Sequence, residues 1–201
     1  MNDILDIEKM RYTVRSYSDK ELEKEKLDKI LEAGQWAPTA VNYQPQRIII
    51  LDSHEALEKV KEFTTFNYDE YYANLAKESA SKDKKTNSYH YNARTALLVC
   101  YDKSECWSHP KTGELSGEVD TTIVTTHMML EATAIGVGSS WISYFNKGKA
   151  KELLNLPRNI EPCVLLLLGY PSEESKPNKT LSGKRKLISE TVFYNEYPKE
   201  Q

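Results

Sequence analysis

The stretch Val119-Asp120-Thr121-Thr122-Ile123-Val124-Thr125-Thr126-His127-Met128-Met129-Leu130-Glu131-Ala132-Thr133-Ala134-Ile135-Gly136-Val137-Gly138-Ser139-Ser140-Trp141-Ile142-Ser143 decides the fold class. Over 119–135, Ile123, Val124, Met128, Met129, Leu130, Ala132 and Ala134 fall on more than one helical face, so the spacing predicts a helix buried nearly all round. His127 within it reads as a hydrogen-bonded core or interface residue. Gly136 stands where a helix C-cap belongs, and 138–143 then reads as a strand. The Gly-x-Gly at this junction is not a dinucleotide fingerprint. The third glycine is missing, and the chain passes from helix to strand, the reverse of a Rossmann loop.

Three further runs have strand length. Arg47-Ile48-Ile49-Ile50-Leu51 is continuous and largely β-branched, which suits a strand buried on both faces, and 96–101 and 163–168 read as buried strands too. Helical spacing separates these runs. It appears over 19–36, opened by the capping-box form Ser18-Asp19-Lys20-Glu21, again around Ala56, Leu57, Val60 and Phe63, and again at Ala150, Leu153 and Leu154. Four strands interleaved with helices make an α/β or α+β domain. No repeat and no Gly/Ser/Pro-rich linker divides the 201 residues, so 1–201 reads as one domain. Residues 64–92 are polar and rich in tyrosine, with weak helix at most; they read as a surface excursion or an interface, and as a lid they would set substrate size.

Composition removes several function classes. A net charge of -3 with acidic and basic residues interspersed gives no general pull toward nucleic acid. No run approaches the roughly 18 apolar residues of a membrane-spanning helix, and the acidic start Met1-Asn2-Asp3-Ile4-Leu5-Asp6 lacks the basic and apolar regions of a secretory signal. The expected compartment is the cytoplasm. An odd set of cysteines, Cys100, Cys106 and Cys163, fits that compartment and no disulfide framework. Cys100, Cys106 and His109 have no zinc spacing, so no metal site is expected. There is no Gly-x-Ser-x-Gly elbow, and Gly183-Lys184-Arg185 does not complete a Walker pattern.

Two segments carry candidate chemistry. In Arg11-Tyr12-Thr13-Val14-Arg15 alternation along an extended chain would put Arg11, Thr13 and Arg15 on one face, where two guanidinium forks and a hydroxyl could hold one phosphate; in a helix Arg11 and Arg15 would still share a face. Read alone, the same residues also make an ordinary solvated basic patch. In Ala37-Pro38-Thr39-Ala40-Val41-Asn42-Tyr43-Gln44-Pro45 two prolines stiffen a loop that offers a hydroxyl and two amides, the alternating donors and acceptors that a heterocycle edge requires. Read alone, it is equally a polar turn.

In this order, Arg11-x-Thr13-x-Arg15-x-Tyr17, Ala37-Pro38-Thr39-Ala40-x-Asn42-x-Gln44-Pro45, the helix ending Leu130-x-Ala132-x-x-x-Gly136-x-Gly138, and the tail Glu190-Thr191-Val192-Phe193-Tyr194 after a basic cluster resemble the nitroreductase family of FMN-dependent oxidoreductases. The resemblance spans nearly the whole chain and implies an α+β fold, with a central mixed, mostly antiparallel sheet wrapped by helices. It also implies a homodimer with exchanged C-terminal arms and FMN at the dimer interface. Arg11, Thr13 and Arg15 would hold the phosphate and ribityl chain, helped by Lys184 or Lys186; which of Lys184, Arg185 and Lys186 reaches the phosphate stays open. Pro38, Thr39, Ala40, Asn42 and Gln44 would line the flavin from the second chain. Trp141, Ile142, Ser143 and Tyr144 would lie beside the ring, with a backbone N–H toward N5. No catalytic side chain is implied, since the chemistry is the flavin's. The implied activity takes hydride from NAD(P)H and passes two electrons to a small electron-poor acceptor by a ping-pong mechanism. The acceptor would be a nitroaromatic, a quinone or a flavin. Departures from the family pattern, Met10, Gln46 and Ser143-Tyr144, fall on the pocket lining more than on the phosphate grip. Two other readings remain: an FMN-binding reservoir or sensor without turnover, and a flavin-free interaction module.

Overall fold

The structure, a computed structural model, describes residues 3–65, 90–177 and 185–198. In chain order it builds α1 (Ile4–Met10), α2 (Lys24–Gln35), β1 (Gln46–Leu51), α3 (His54–Thr64), β2 (Thr95–Asp102), α4 (Gly117–Ala134), β3 (Gly138–Ile142), α5 (Lys147–Leu153) and β4 (Ile160–Gly169), with short 3-10 turns at Ala40–Asn42 and Ile188–Glu190. Residue 64 closes α3, and 66–89 lie outside the described residues, so the lid reading of 64–92 is left where the sequence put it.

β2 and β4 are apolar on both faces, and they take the middle of the sheet for that reason. Every residue of β2 is buried, and so is β4 after its first two. The four strands run in the order β1-β2-β4-β3 and pair antiparallel throughout. Alternation then sorts the side chains: Ala96, Leu98, Cys100, Leu165 and Leu167 face α3 and α5, while Leu97, Val99, Val164, Leu166 and Leu168 face α4 and, beyond it, α2. This is the expected α+β sheet wrapped by helices; among the described residues its parallel component is a single bridge, Thr13 to Ser139. Cys100, Cys106 and Cys163 are buried and unbridged, and burial pushes the Cys100 thiol up to about 12. Among the described residues no helix is long and apolar enough to cross a membrane, and no cluster of three His, Cys, Asp or Glu could hold a metal.

Four expectations need correction. β1 is an edge strand, half-buried with Ile50 41 % exposed, because among the described residues β2 alone pairs with it; an apolar run cannot distinguish an edge from a centre. The capping box at Ser18 does not form, and α2 begins at Lys24. The preceding chain is tied elsewhere: Ser18 N–H donates to the Tyr170 carbonyl at 2.8 Å, and Lys20 sits 3.9 Å over the Tyr170 ring. His127 is exposed on the outer side of α4, which removes the core half of its reading and leaves the interface half. α4 is itself less enclosed than its pattern predicts, with Val119 62 % exposed. What lets so threonine-rich a helix pack at all is back-bonding. The hydroxyls of Thr121, Thr122, Thr125, Thr126 and Thr133 each donate to the carbonyl four residues earlier, at 2.7 to 3.0 Å. α1 was not anticipated; it buries no residue and so leaves only a faint apolar pattern.

His90, at the turn into β2, is 4 % exposed, and burial holds its imidazole down at about 4. A His with a depressed folded pKa contributes stability that is complete above the unfolded value near 6.5 and is lost as pH falls toward about 4, because the unfolded chain takes up the proton first. Between pH 7 and 4.5 the native protein should lose about 2 kcal/mol more unfolding free energy than a His90→Phe variant. Urea titrations at the two pH values measure the difference, and equal losses would remove His90 from the acid response.

Candidate functional site

The N-terminal strap is pinned along its length. After α1 the chain extends, Val14 N–H donates to the Ser139 carbonyl at 3.0 Å, and Thr13 and Ser139 bridge in parallel. Tyr17 bridges to Pro171 and its phenol donates to the Leu167 carbonyl at 3.4 Å; burial raises that phenol well above its ordinary value, which keeps it a donor. Val14 is fully buried and Tyr12 packs on the same core, so alternation turns Arg11, Thr13 and Arg15 to the opposite face. Arg11 borders a cleft of about 170 Å³ whose walls include Met10, Thr133, Ser139 and Pro171. Among the described residues neither Arg11 nor Arg15 has an ion-pair partner, although twelve ion pairs are distributed over the rest of the surface. Two guanidiniums without a carboxylate, beside a hydroxyl, are an anion-binding donor set.

The strap can lie this close to β3 because of Gly138. A Cβ there would meet Val14 Cγ2 at 2.7 Å, the Gly169 carbonyl at 3.1 Å and Pro171 Cγ at 3.1 Å. Gly136, at φ 76°, closes α4 in a Schellman turn: Val137 N–H donates to the Ala132 carbonyl and Gly136 N–H to that of Thr133. Gly138→Ala should cost about 2 kcal/mol and lower Tm by about 5 °C. Thermal denaturation measures it, and an unchanged Tm would mean the strap is not held against β3 as described.

The 38–45 loop is fixed in an unusual shape. Val41, Asn42 and Gln44 all have positive φ, 51°, 57° and 51°, in a region that L residues rarely occupy. Within the loop Gln44 N–H donates to Thr39 Oγ1 at 3.1 Å. Toward the body, Ala40 N–H donates to Asp120 Oδ1 at 2.8 Å, and the Pro45 carbonyl accepts from Asp102 N–H at 2.8 Å. Arg47, ion-paired with Glu105, donates to the Gln44 carbonyl at 3.3 Å. Pro38, Asn42 and Gln44 are exposed, and Thr39 and Ala40 are half-buried.

At the far end of β3, Trp141 Nε1–H donates to Ser143 Oγ at 2.7 Å, Ile142 is buried, and Ser143 and Tyr144 face solvent. Phe145 then turns back to pack on Phe63, with ring centroids 5.7 Å apart. In the tail, Arg185 and Lys186 are exposed, and Lys184 lies outside the described residues. Leu187, Ile188, Val192 and Tyr194 are exposed as well, Tyr194 by 86 %.

Arg11 and Thr13 therefore meet the start of β3 beside the C-terminal end of α4, whereas Asp120 holds the 38–45 loop at the other end of that helix. From Asp120 to Thr133 is about 20 Å of helix at 1.5 Å per residue. In one chain the two candidate groups are not brought together. Sequence reading missed Asp120, which its position inside an apolar helix hid, and Ser116, whose hydroxyl donates to Asp120 Oδ2 at 2.6 Å. A serine and an aspartate four apart at a helix start were the available signal.

Comparison with known proteins agrees with this architecture. The profile of the Nitroreductase family matches residues 9–170. A protein of Archaeoglobus fulgidus, provisionally named as an NADH dehydrogenase/NAD(P)H nitroreductase, is 31 % identical over 176 residues, covering 83 % of this chain and 86 % of its own. The crystal structure of a nitroreductase family protein from Clostridium difficile 630 superposes with a TM-score of 0.79 at 36 % identity, covering 98 % of this chain and all of the other. A Bacteroides fragilis nitroreductase solved with bound FMN has the same fold, with a TM-score of 0.71 at 23 % identity, covering 98 % of this chain and 100 % of the other. With a profile match over most of its length and these relatives, the chain belongs to the nitroreductase family.

Proposed function

We propose that this chain is an FMN-dependent oxidoreductase that takes hydride from NADH or NADPH and passes two electrons to a small electron-poor acceptor, a nitroaromatic, a quinone or a flavin, in ping-pong order. It works as a single domain, 1–201, in a homodimer. The observation that carries the reading is Arg11 at the cleft beside β3, with Thr13 bridged to Ser139 and, among the described residues, no ion-pair partner for Arg11 or for Arg15 two residues further on. These residues fit a phosphate, and family membership together with the FMN-bound Bacteroides fragilis relative supports FMN as the molecule that carries it.

FMN, when bound, would supply the redox chemistry, a two-electron exchange between nicotinamide and acceptor. The chain's residues bind and orient. Arg11 and Arg15 grip the phosphate with planar forks and Thr13 adds a hydroxyl, with Lys184 or Lys186 adding charge from the tail. Trp141, Ile142, Ser143 and Tyr144 line the ring, with the Trp141 indole fixing the Ser143 hydroxyl. Pro38, Thr39, Ala40, Asn42 and Gln44 complete the site from the second chain. Their distance from Arg11 along α4 supports that division, since one mononucleotide in one chain would have to run the length of the helix to touch both. The exposed apolar residues of the arm, Leu187, Ile188, Val192, Phe193 and Tyr194, support its exchange onto the partner, which would bury them.

Initial rates at several fixed acceptor concentrations, with NADH and with NADPH, test the reading. Parallel double-reciprocal lines are expected, because donor and acceptor use the same space in turn. Bound flavin with no turnover for any acceptor would favour the reservoir or sensor reading.

A further inference from the structure

We propose that Asp120 is a positioning residue for the flavin site: its buried carboxylate, through the Ala40 N–H, holds the 38–45 loop where Thr39 and Asn42 meet the flavin of the partner chain. The proposal rests on the FMN reading above. Asp120 is 2 % exposed, in the first turn of α4, with Ala40 N–H on Oδ1 at 2.8 Å and the Ser116 hydroxyl on Oδ2 at 2.6 Å. Among the described residues it has no cationic partner. A carboxylate taken out of water and left unpaired with a cation is unfavourable, and only its hydrogen bonds and the positive end of the helix offset that.

What those bonds secure is a loop that would not keep its shape alone. Val41, Asn42 and Gln44 are left-handed, a conformation persisting only where the surroundings over-determine it. The Thr39–Gln44 bond closes the loop on itself but does not place it. Pro45 and Arg47 tie down its exit. At the loop's leading half Asp120 alone, among the described hydrogen bonds, joins it to the body. The Ala40 amide is flanked by Thr39 and the left-handed turn, so a shift there displaces the very residues assigned to the ring. Asp120 reaches no ligand itself; it acts through the loop.

The test is flavin titration of the purified wild-type, Asp120→Ala, Asp120→Asn and Ser116→Ala dimers with FMN and with riboflavin, alongside Tm and solution mass. Asp120→Ala should raise Kd for both flavins alike by about tenfold or more, because the ring side and not the phosphate side is disturbed. Asp120→Asn keeps an oxygen for the Ala40 N–H and should bind both flavins as wild type does. Should Asp120→Ala not fold, Ser116→Ala carries the test: it should stay folded, with Tm lowered by about 3 °C and Kd for riboflavin raised about threefold. A folded Asp120→Ala dimer that binds riboflavin as wild type does overturns the proposal, as does unchanged affinity in Ser116→Ala. Wild-type protein that binds neither flavin overturns the FMN reading instead.

Discussion

Replacing Arg11 and Arg15 together with glutamine is expected to raise Kd for FMN by about 100-fold or more while leaving Kd for riboflavin within about threefold of wild type. Each charge-assisted hydrogen bond to a phosphate contributes about 1.5 to 3 kcal/mol, and each 1.4 kcal/mol is a factor of ten in affinity. The prediction follows from the strap's geometry: Val14 and Tyr17 anchor it in the core, so removing two outward-facing guanidiniums takes away donors without loosening the segment that carries them. Riboflavin has the ring and ribityl chain but no phosphate, and so separates a lost grip from a damaged fold. Arg11→Lys should recover only part of the loss, because an ammonium cannot present the planar fork. Equal weakening for both flavins would move the phosphate site away from the strap.

The second large effect is complementation in trans. Arg11→Gln/Arg15→Gln protein and Thr39→Ala/Asn42→Ala protein should each bind FMN poorly, yet unfolding and refolding them as an equal mixture should restore about one quarter of the wild-type sites, since half the dimers are mixed and each mixed dimer carries one intact site under two-fold symmetry. The expectation comes from the separation along α4 between the loop held by Asp120 and the cleft lined by Thr133 and Arg11. Titrating the mixture with FMN counts the restored sites. No recovery, with mixed dimers present, would place the whole site in a single chain.

Much of the fold was legible because it depends on composition along one element. β2 and β4 declared themselves by unbroken apolar runs, and α4 by apolar residues on several faces followed by Gly136. Two of the errors share one cause, a partner remote in sequence. β1 has the composition of a central strand but lies at the edge. Ser18 has the form of a helix cap, yet its amide is taken by the Tyr170 carbonyl, about 150 residues away in the chain. The site divides in the same way. Alternation over Arg11, Thr13 and Arg15 is local and could be read directly, whereas the hold of Asp120 on Ala40 spans 80 residues, and the local pair Ser116 and Asp120 does not say which loop is held. Three non-glycine residues at positive φ in one loop are equally invisible in sequence, since their conformation is imposed by those distant bonds.

The most direct measurement is the visible absorption spectrum of the purified protein, taken before and after adding FMN and then during anaerobic titration with NADH and with NADPH. Flavin bands that stay with the protein through desalting and bleach on adding either nicotinamide are the predicted result. A protein that remains colourless after incubation with FMN, or whose bound flavin neither nicotinamide reduces, would contradict it.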